Sequence, residues 1–216
     1  MIETELYRSR FAQAEFVQQK EFWRPICRYL QRYVKPDGVT VDLGAGFCHF
    51  INHIQSRSKI AVDINEESLE RFADRDVRRV ASSGSDLTFL AQSSIDTVFA
   101  SNVYEHFHTR EEVAESLREV YRVLRAGGHF VIMQPNFAYC QREYFDFFDH
   151  RLIFTHRAMA EGLVSAGFTM ERTISRFLPY TSKSRLPRAS WMVSLYLRTP
   201  LAWKILGGQM LLVARK

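Results

Sequence analysis

Val41-Asp42-Leu43-Gly44-Ala45-Gly46 is the stretch that decides the fold. An apolar, β-branched run beginning at Val39 stops at two glycines one residue apart, and a helix is expected directly afterwards, from Cys48 to Gln55. A strand that breaks into a glycine turn before a helix is the opening unit of an open parallel sheet. Ligands bind such sheets outside the carboxyl ends of the strands. Glycine lets the backbone approach a ligand closely and take positive φ. The turn alone does not choose the ligand. A nicotinamide site would offer G-x-G-x-x-G, but the third position holds His49, which reads as a surface residue at a helix start. Asp42 says more, since its charge would repel a pyrophosphate and favour a ligand carrying an amine and a sulfonium.

On the amino-terminal side, residues 3–34 read as one or two helices, with Phe22, Ile26, Leu30 and Val34 at helical spacing. Lys35-Pro36-Asp37-Gly38 ends them with turn chemistry. On the carboxyl side, strands are expected at 59–63, 77–82, 95–101, 129–133, 168–175 and 209–214. Helices are expected at 66–74, at 110–124 behind a Thr109–Glu112 capping box, and up to Ala166 behind Thr155. Gly167 would close the last of these, and Arg125-Ala126-Gly127-Gly128 reads as a turn. Strands alternating with helices specify an α/β fold with a mostly parallel sheet covered on both faces. The expected organisation is one domain over 1–216, with N-terminal helices in 1–35 and insertions at 134–154 and 178–207.

The totals exclude several classes. A chain of 216 residues with 46% apolar and 25% charged residues has the balance of a globular domain. Cys27, Cys48 and Cys140 form no C-x-x-C pair, so neither a zinc site nor a disulfide framework is expected, and reduced thiols in a cytoplasm fit. The start of the chain, with Glu3, Glu5, Arg8 and Arg10, is not a secretory signal, and no run approaches the ~20 apolar residues of a membrane span. The net charge of +5 permits nucleic acid, phosphorylated metabolites or a membrane face, and selects none.

Carboxylates at strand ends narrow the ligand further. Asp63 ends the second strand, where it can accept both hydroxyls of a ribose. Asp86 follows the third strand and can accept an adenine amine, although any polar residue would suit that Ser- and Gly-rich loop. Together VDLGAG (41–46), AVDIN (61–65), SGSDL (83–87), IDTVFASNVYEH (95–106) and LRAGGHFVI (124–132) resemble the class I, Rossmann-like, S-adenosylmethionine-dependent methyltransferases. The set is specific, and each piece alone is not. The resemblance implies S-adenosyl-L-methionine as cofactor and a seven-stranded sheet of order 3-2-1-4-5-7-6 with strand seven antiparallel. It implies Gly44, Ala45 and Gly46 against the methionine part, with Asp42 beside them. It also implies Asp63 and Ile64 at the ribose, Asp86 and Leu87 at the adenine, and Asn102 and Val103 near the sulfonium.

Methyl transfer to a hydroxyl needs a base, whereas an amine or carboxylate can react without one. His106, Asp149, His150 and His156 are the candidates, with Asp149 and His150 leading. His106 follows the fourth strand in a Tyr104-Glu105-His106 triplet that resembles the family's E-H pair, and it reads equally as a histidine that merely holds the next helix. Residues 137–156 interleave Tyr139, Tyr144, Phe145, Phe147 and Phe148 with Asp146, Asp149 and His150, the makeup of a small-molecule pocket or lid. Tyr104, Tyr139, Tyr144 and Asp146 are therefore the expected substrate contacts.

The FFDHRL and FLPYTSKSRLP runs loosely resemble methyltransferases of bacterial sugars and glycans, which favours a carbohydrate-type hydroxyl as acceptor. Asn102-Val103-Tyr104-Glu105 is not the Pro-Pro-aromatic motif of adenine N6 enzymes, which argues against a nucleic-acid methyltransferase. A non-catalytic subunit that only binds the cofactor is the rival of another class. In 178–207, Lys183, Arg185, Arg188, Arg198 and Lys204 lie among Trp191, Leu195 and Trp203, with a helix expected over 189–198. Base rates favour a helix capping the sheet edge over one that touches anionic lipid.

Overall fold

The computed structural model of the chain describes residues 13–180 and 189–216. The expected helical residues 3–12 and the basic residues Lys183, Arg185 and Arg188 lie outside the described residues. Helix α1 (Gln13–Leu30) leads through a 3-10 turn into β1 (Val39–Leu43), followed by α2 (His49–His53), β2 (Ser58–Asp63), α3 (Glu66–Phe72) and β3 (Val77–Ala81). The chain continues through β4 (Ile95–Ser101), α4 (Arg110–Val123), β5 (Leu124–Pro135), α5 (Gln141–Tyr144), α6 (His156–Ser165) and β6 (Thr169–Ile174). Helices α7 (Ser190–Leu197) and α8 (Pro200–Leu206) precede β7 (Gln209–Arg215).

The seven strands form one sheet of order β3-β2-β1-β4-β5-β7-β6. The first five are parallel to their neighbours, and β7 pairs antiparallel with both β5 and β6. Alternation along the strands builds two cores. Phe99, Val131, Met133, Leu211 and Val213 point to one face, under α1, α2 and α7. Val98, Phe130, Ile132, Leu212 and Ala214 point to the other, under α4 and α6. On β1 the same alternation sends Val41 and Leu43 to the second face. It sends Asp42 under α2, where its carboxylate accepts a hydrogen bond from Ile51 N at 3.3 Å. A strand position that would ordinarily be apolar thus holds a buried acid.

Local chemistry sets the helix ends. Asn65, Thr109 and Thr155 each accept a backbone N–H of the first turn of α3, α4 and α6. Gly167 follows α6 at φ +103, and a Cβ there would meet the Tyr121 ring at 3.1 Å.

Several expectations need correction. Residues 125–128 are not a free turn. They extend β5, with Gly127 at φ +78 donating to Lys216 O and Gly128 O accepting from Lys216 N, so the end of β7 holds the bulge in the sheet. The helix expected over 48–55 shortens to His49–His53, because Cys48 takes a left-handed φ of 57°. His49 is buried rather than on the surface, stacked against Trp23 and beside Phe47. The helix expected over 189–198 is followed by a second one that Pro200 starts at its first position.

Asp96 anchors the beginning of the sheet. Its carboxylate accepts from Val39 N and Arg125 Nη1, both at 2.8 Å. Burial raises its pKa, but those donors outweigh burial and hold the carboxyl below its usual value. Its stabilising contribution is therefore present above the unfolded pKa and lost as pH falls. Asp96→Ala should cost about 2–3 kcal/mol in urea unfolding at pH 7, and the difference from wild type should shrink below about pH 4.

Candidate active site

The carboxyl ends of β1, β2 and β4 meet at the Gly44–Gly46 turn. Gly44 N and Ala45 N both donate to Val62 O, at 2.8 and 3.0 Å, which lays the turn across the end of β2. Gly46 N donates to Asp63 Oδ2 at 2.8 Å, and Asn65 N donates to Asp63 Oδ1 at 2.9 Å. Gly44 has φ +67, and a Cβ there would fall 2.5 Å from Val103 Cγ2. Glycine is required both by its backbone angle and by the valine two residues past the end of β4. Asn102 beside that valine has φ 53°, and its Oδ1 accepts from Gln209 Nε2 of β7 at 3.3 Å.

The structure thus brings Asp42, Gly44, Ala45, Gly46, Asp63, Asn102 and Val103 together at one strand edge. Ile64, 74% exposed, stands outside Asp63. Asp86 is exposed, and its Oδ1 accepts from Thr88 N and Thr88 Oγ1, so it shapes its own turn. The Leu87 side chain is fully buried in the second core, and its carbonyl accepts from Arg122. The expectation of an adenine contact therefore does not extend to that side chain.

Two buried carboxyls lie close together at this edge. Burial raises Asp42 to about 8, the Ile51 N–H opposes this, and the charge of Asp63 adds to it. Burial also raises Asp63, against the N–H groups of Asn65, Gly46 and Ile64 and the nearby His106. An acid that is costly to ionise is suited to a cationic ligand, which would restore the charged form. The glycine cradle and the carboxylates fit S-adenosylmethionine, whose ammonium and sulfonium carry positive charge.

A second cluster adjoins the first. His106 Nδ1 lies 3.1 Å from Asp149 O and 3.3 Å from Asp149 Oδ2. A carbonyl only accepts, so this nitrogen carries the proton and the lone pair of the neutral ring is on Nε2. His150 Nδ1 lies 2.9 Å from Tyr144 O, which fixes the same tautomer. The two imidazoles meet edge to face at 5.2 Å, and His150 stacks on Phe147 at 4.9 Å. Glu105 sits behind them, 1% exposed, with neither carboxylate oxygen hydrogen-bonded. Burial raises Glu105 to about 7, against the pull of His106. One donor atom from each of Glu105, His106 and His150 lies within 4.8 Å of the others, a set that can share a proton or hold a cation. Glu105 was missed as a candidate because its neighbours in sequence, Tyr104 and His106, carried the motif.

Other sequence candidates find different roles. Tyr104 is fully buried, with its hydroxyl 3.2 Å from Ser116 Oγ, and Tyr144 is buried and donates to Leu152 O. Both are core residues rather than open substrate contacts. His156 Nδ1 accepts from Asn136 Nδ2 at 3.0 Å, a joint between the end of β5 and α6. Asp146 is exposed, and Tyr139, 43% exposed, lies beneath the Arg176 guanidinium. Tyr180 was also missed, and it packs its ring near Phe147 and His150.

Comparisons with known proteins bear on the fold and on residues 41–132. The family described as "Methyltransferase domain" matches residues 41–132. No curated protein matches the sequence. Among solved structures, one is a Thermotoga maritima protein described as a possible histamine N-methyltransferase. It shares 16% identity over 99% of this chain and 95% of its own, with a TM-score of 0.67. A Mesorhizobium loti S-adenosylmethionine-dependent methyltransferase shares 20% identity over 89% and 96%, with a TM-score of 0.64. The Burkholderia thailandensis 1,6-didemethyltoxoflavin-N1-methyltransferase, solved with S-adenosylhomocysteine, shares 22% over 90% and 78%, with a TM-score of 0.57. Residues 41–132 are thus a methyltransferase domain, and the sheet order is that of the class I fold. The chain thus has the fold of S-adenosylmethionine-dependent methyltransferases.

The Asp42 shift makes a signed prediction. A folded-state pKa raised to about 8 means that folding favours the protonated form, so the contribution is full at low pH and fades as pH rises through 8. Between pH 5 and pH 9 the ligand-free wild type should lose about 4 kcal/mol relative to Asp42→Asn, most of it below pH 8, read from urea unfolding of both at each pH.

Proposed function

We propose that the protein methylates a hydroxyl of a small carbohydrate-type acceptor, and that the cluster around His150 manages the hydroxyl proton. The observation that carries this reading is the adjacency of two sites: His106 N donates to Val103 O at 3.1 Å, and Val103 packs against Gly44 of the turn whose Gly46 amide Asp63 holds. Asp63 would hold the ribose hydroxyls through the lone pairs its two backbone donors leave. Gly44, Ala45 and Gly46 would line the methionine part, Asp42 would face its charge, and Asn102 and Val103 would border the sulfonium. Asp86 would lie at the adenine end.

The bound cofactor supplies an activated methyl group and a good leaving group. The chain's own residues orient the acceptor and exclude water, and orientation alone can be worth about 7–11 kcal/mol. His150 Nε2, its tautomer fixed by Tyr144 O, would take the hydroxyl proton, with His106 and Asp149 stabilising the imidazolium that forms. Tyr139, Phe147, Tyr180 and Asp146 would face the acceptor. The interleaving of aromatic rings with a few polar groups suits a sugar, whose C–H faces pack on rings while its hydroxyls seek polar partners.

His150→Ala should lower kcat by about 10²–10⁴-fold while leaving the Kd for S-adenosylmethionine nearly unchanged. Full turnover by that variant would remove the base assignment. Asp63→Asn should weaken cofactor binding by about tenfold or more in calorimetry, and unchanged affinity would contradict the ribose assignment.

A further inference from the structure

Helix α7, Ser190–Leu197, contains no charged residue, and apolar side chains are distributed all around it. A helix apolar on every side needs cover on every side. Its inner side has cover: Val193 and Leu197 lie in the core with Tyr29, Phe177 and Trp203. Its outer side is bare, with Trp191 68% and Leu195 59% exposed. Helix α8 repeats the pattern, burying Trp203 while Leu201, Ile205 and Leu206 are 72%, 74% and 47% exposed. Five large apolar side chains on two consecutive helices exceed the scattered singles of an ordinary surface.

The segment that carries this face has charge of one sign. Residues 172–216 contain nine Lys and Arg and no Asp or Glu, whereas the other 171 residues carry 20 basic and 24 acidic side chains. The chain's whole positive excess therefore belongs to this segment. Arg198 and Lys204 are exposed at the ends and flank of the two helices. No helix among the described residues is long and apolar enough to cross a membrane, so any bilayer contact here lies at the surface.

We propose that the outer face of α7 and α8 docks on an anionic lipid bilayer. Trp191, Leu195, Leu201, Ile205 and Leu206 enter the headgroup boundary while Arg198 and Lys204 meet lipid phosphates. A protein partner would need an apolar patch ringed by acids, whereas a bilayer surface supplies both features at once. The face is tied to the active site. Arg176 donates to Ile205 O and Gly207 O, at 2.7 and 2.8 Å, and its guanidinium covers the Tyr139 ring at 4.8 Å. Resting on the function proposed above, this places the acceptor-binding loop next to the bilayer and favours an acceptor carried on a lipid.

The full-length protein should co-sediment with phosphatidylcholine vesicles containing phosphatidylglycerol, far less with phosphatidylcholine alone, and less as salt rises. Trp191→Ser combined with Ile205→Ser should weaken vesicle binding at least about tenfold. Both residues are exposed, so the variant should keep its Tm and its affinity for S-adenosylmethionine, which separates failure of this proposal from failure of the methyl-transfer reading. No binding to anionic vesicles, or equal binding by the variant, would overturn the proposal. So would a dimer in analytical ultracentrifugation that the variant dissociates, since the face would then belong to a second copy.

Discussion

The contact that organises the site is the hydrogen bond from Gly46 N to the Asp63 carboxylate. With Asn65 N on the other oxygen and the Gly44 and Ala45 amides on Val62 O, it fastens the β1 turn to the tip of β2. The turn cannot slide, because Val103 fills the space a Gly44 Cβ would need. A carboxylate buried at a strand tip and held by backbone donors is a fixed feature, and fixed partial charges act on a ligand without first reorganising. The alternation of β1 adds the second acid, Asp42, beneath α2.

Much of this was legible in the sequence, for identifiable reasons. Strands β1, β4 and β7 are buried on both faces and are mostly apolar or β-branched, so composition marks them. Thr109, Thr155 and Gly167 announce helix ends through chemistry confined to four or five residues. The glycine turn and Asp63 are likewise local signals. What was not legible depends on partners far away in sequence. Glu105 becomes significant only because residues 149–150 return to His106, 43 positions beyond it. His49 is buried only because Trp23 comes from α1 to cover it. Arg125–Gly128 became strand rather than turn because Lys216, far along the chain, pairs with it.

The acid–base cluster shows how a surface segment can be made rigid enough for chemistry. Residues 137–156 hold only the four-residue helix α5 before α6 begins, yet they are held at many points. Arg151 N and Leu152 N both donate to Glu105 O, Phe137 N donates to Phe154 O, and the Tyr144 hydroxyl reaches Leu152 O. The buried tyrosine, expected to touch substrate, fixes the backbone that orients His150. A loop braced in this way can keep two imidazoles in one tautomer each, which a mobile lid could not.

The sheet order also constrains how the molecule is assembled. Among the described residues, strand β6 has β7 as its one neighbour, and β7 is made of residues 209–215, which follow all the other strands in the chain. During synthesis the five parallel strands can align as they emerge, but β6 has nothing to pair with until residues 209–215 have been made. Until then β5 presents an open edge, and α7 and α8 have no finished sheet margin to lean on. Completion of the sheet thus waits for β7. Losing β7 would cost two strands at once, along with the Gln209–Asn102 contact beside the glycine turn.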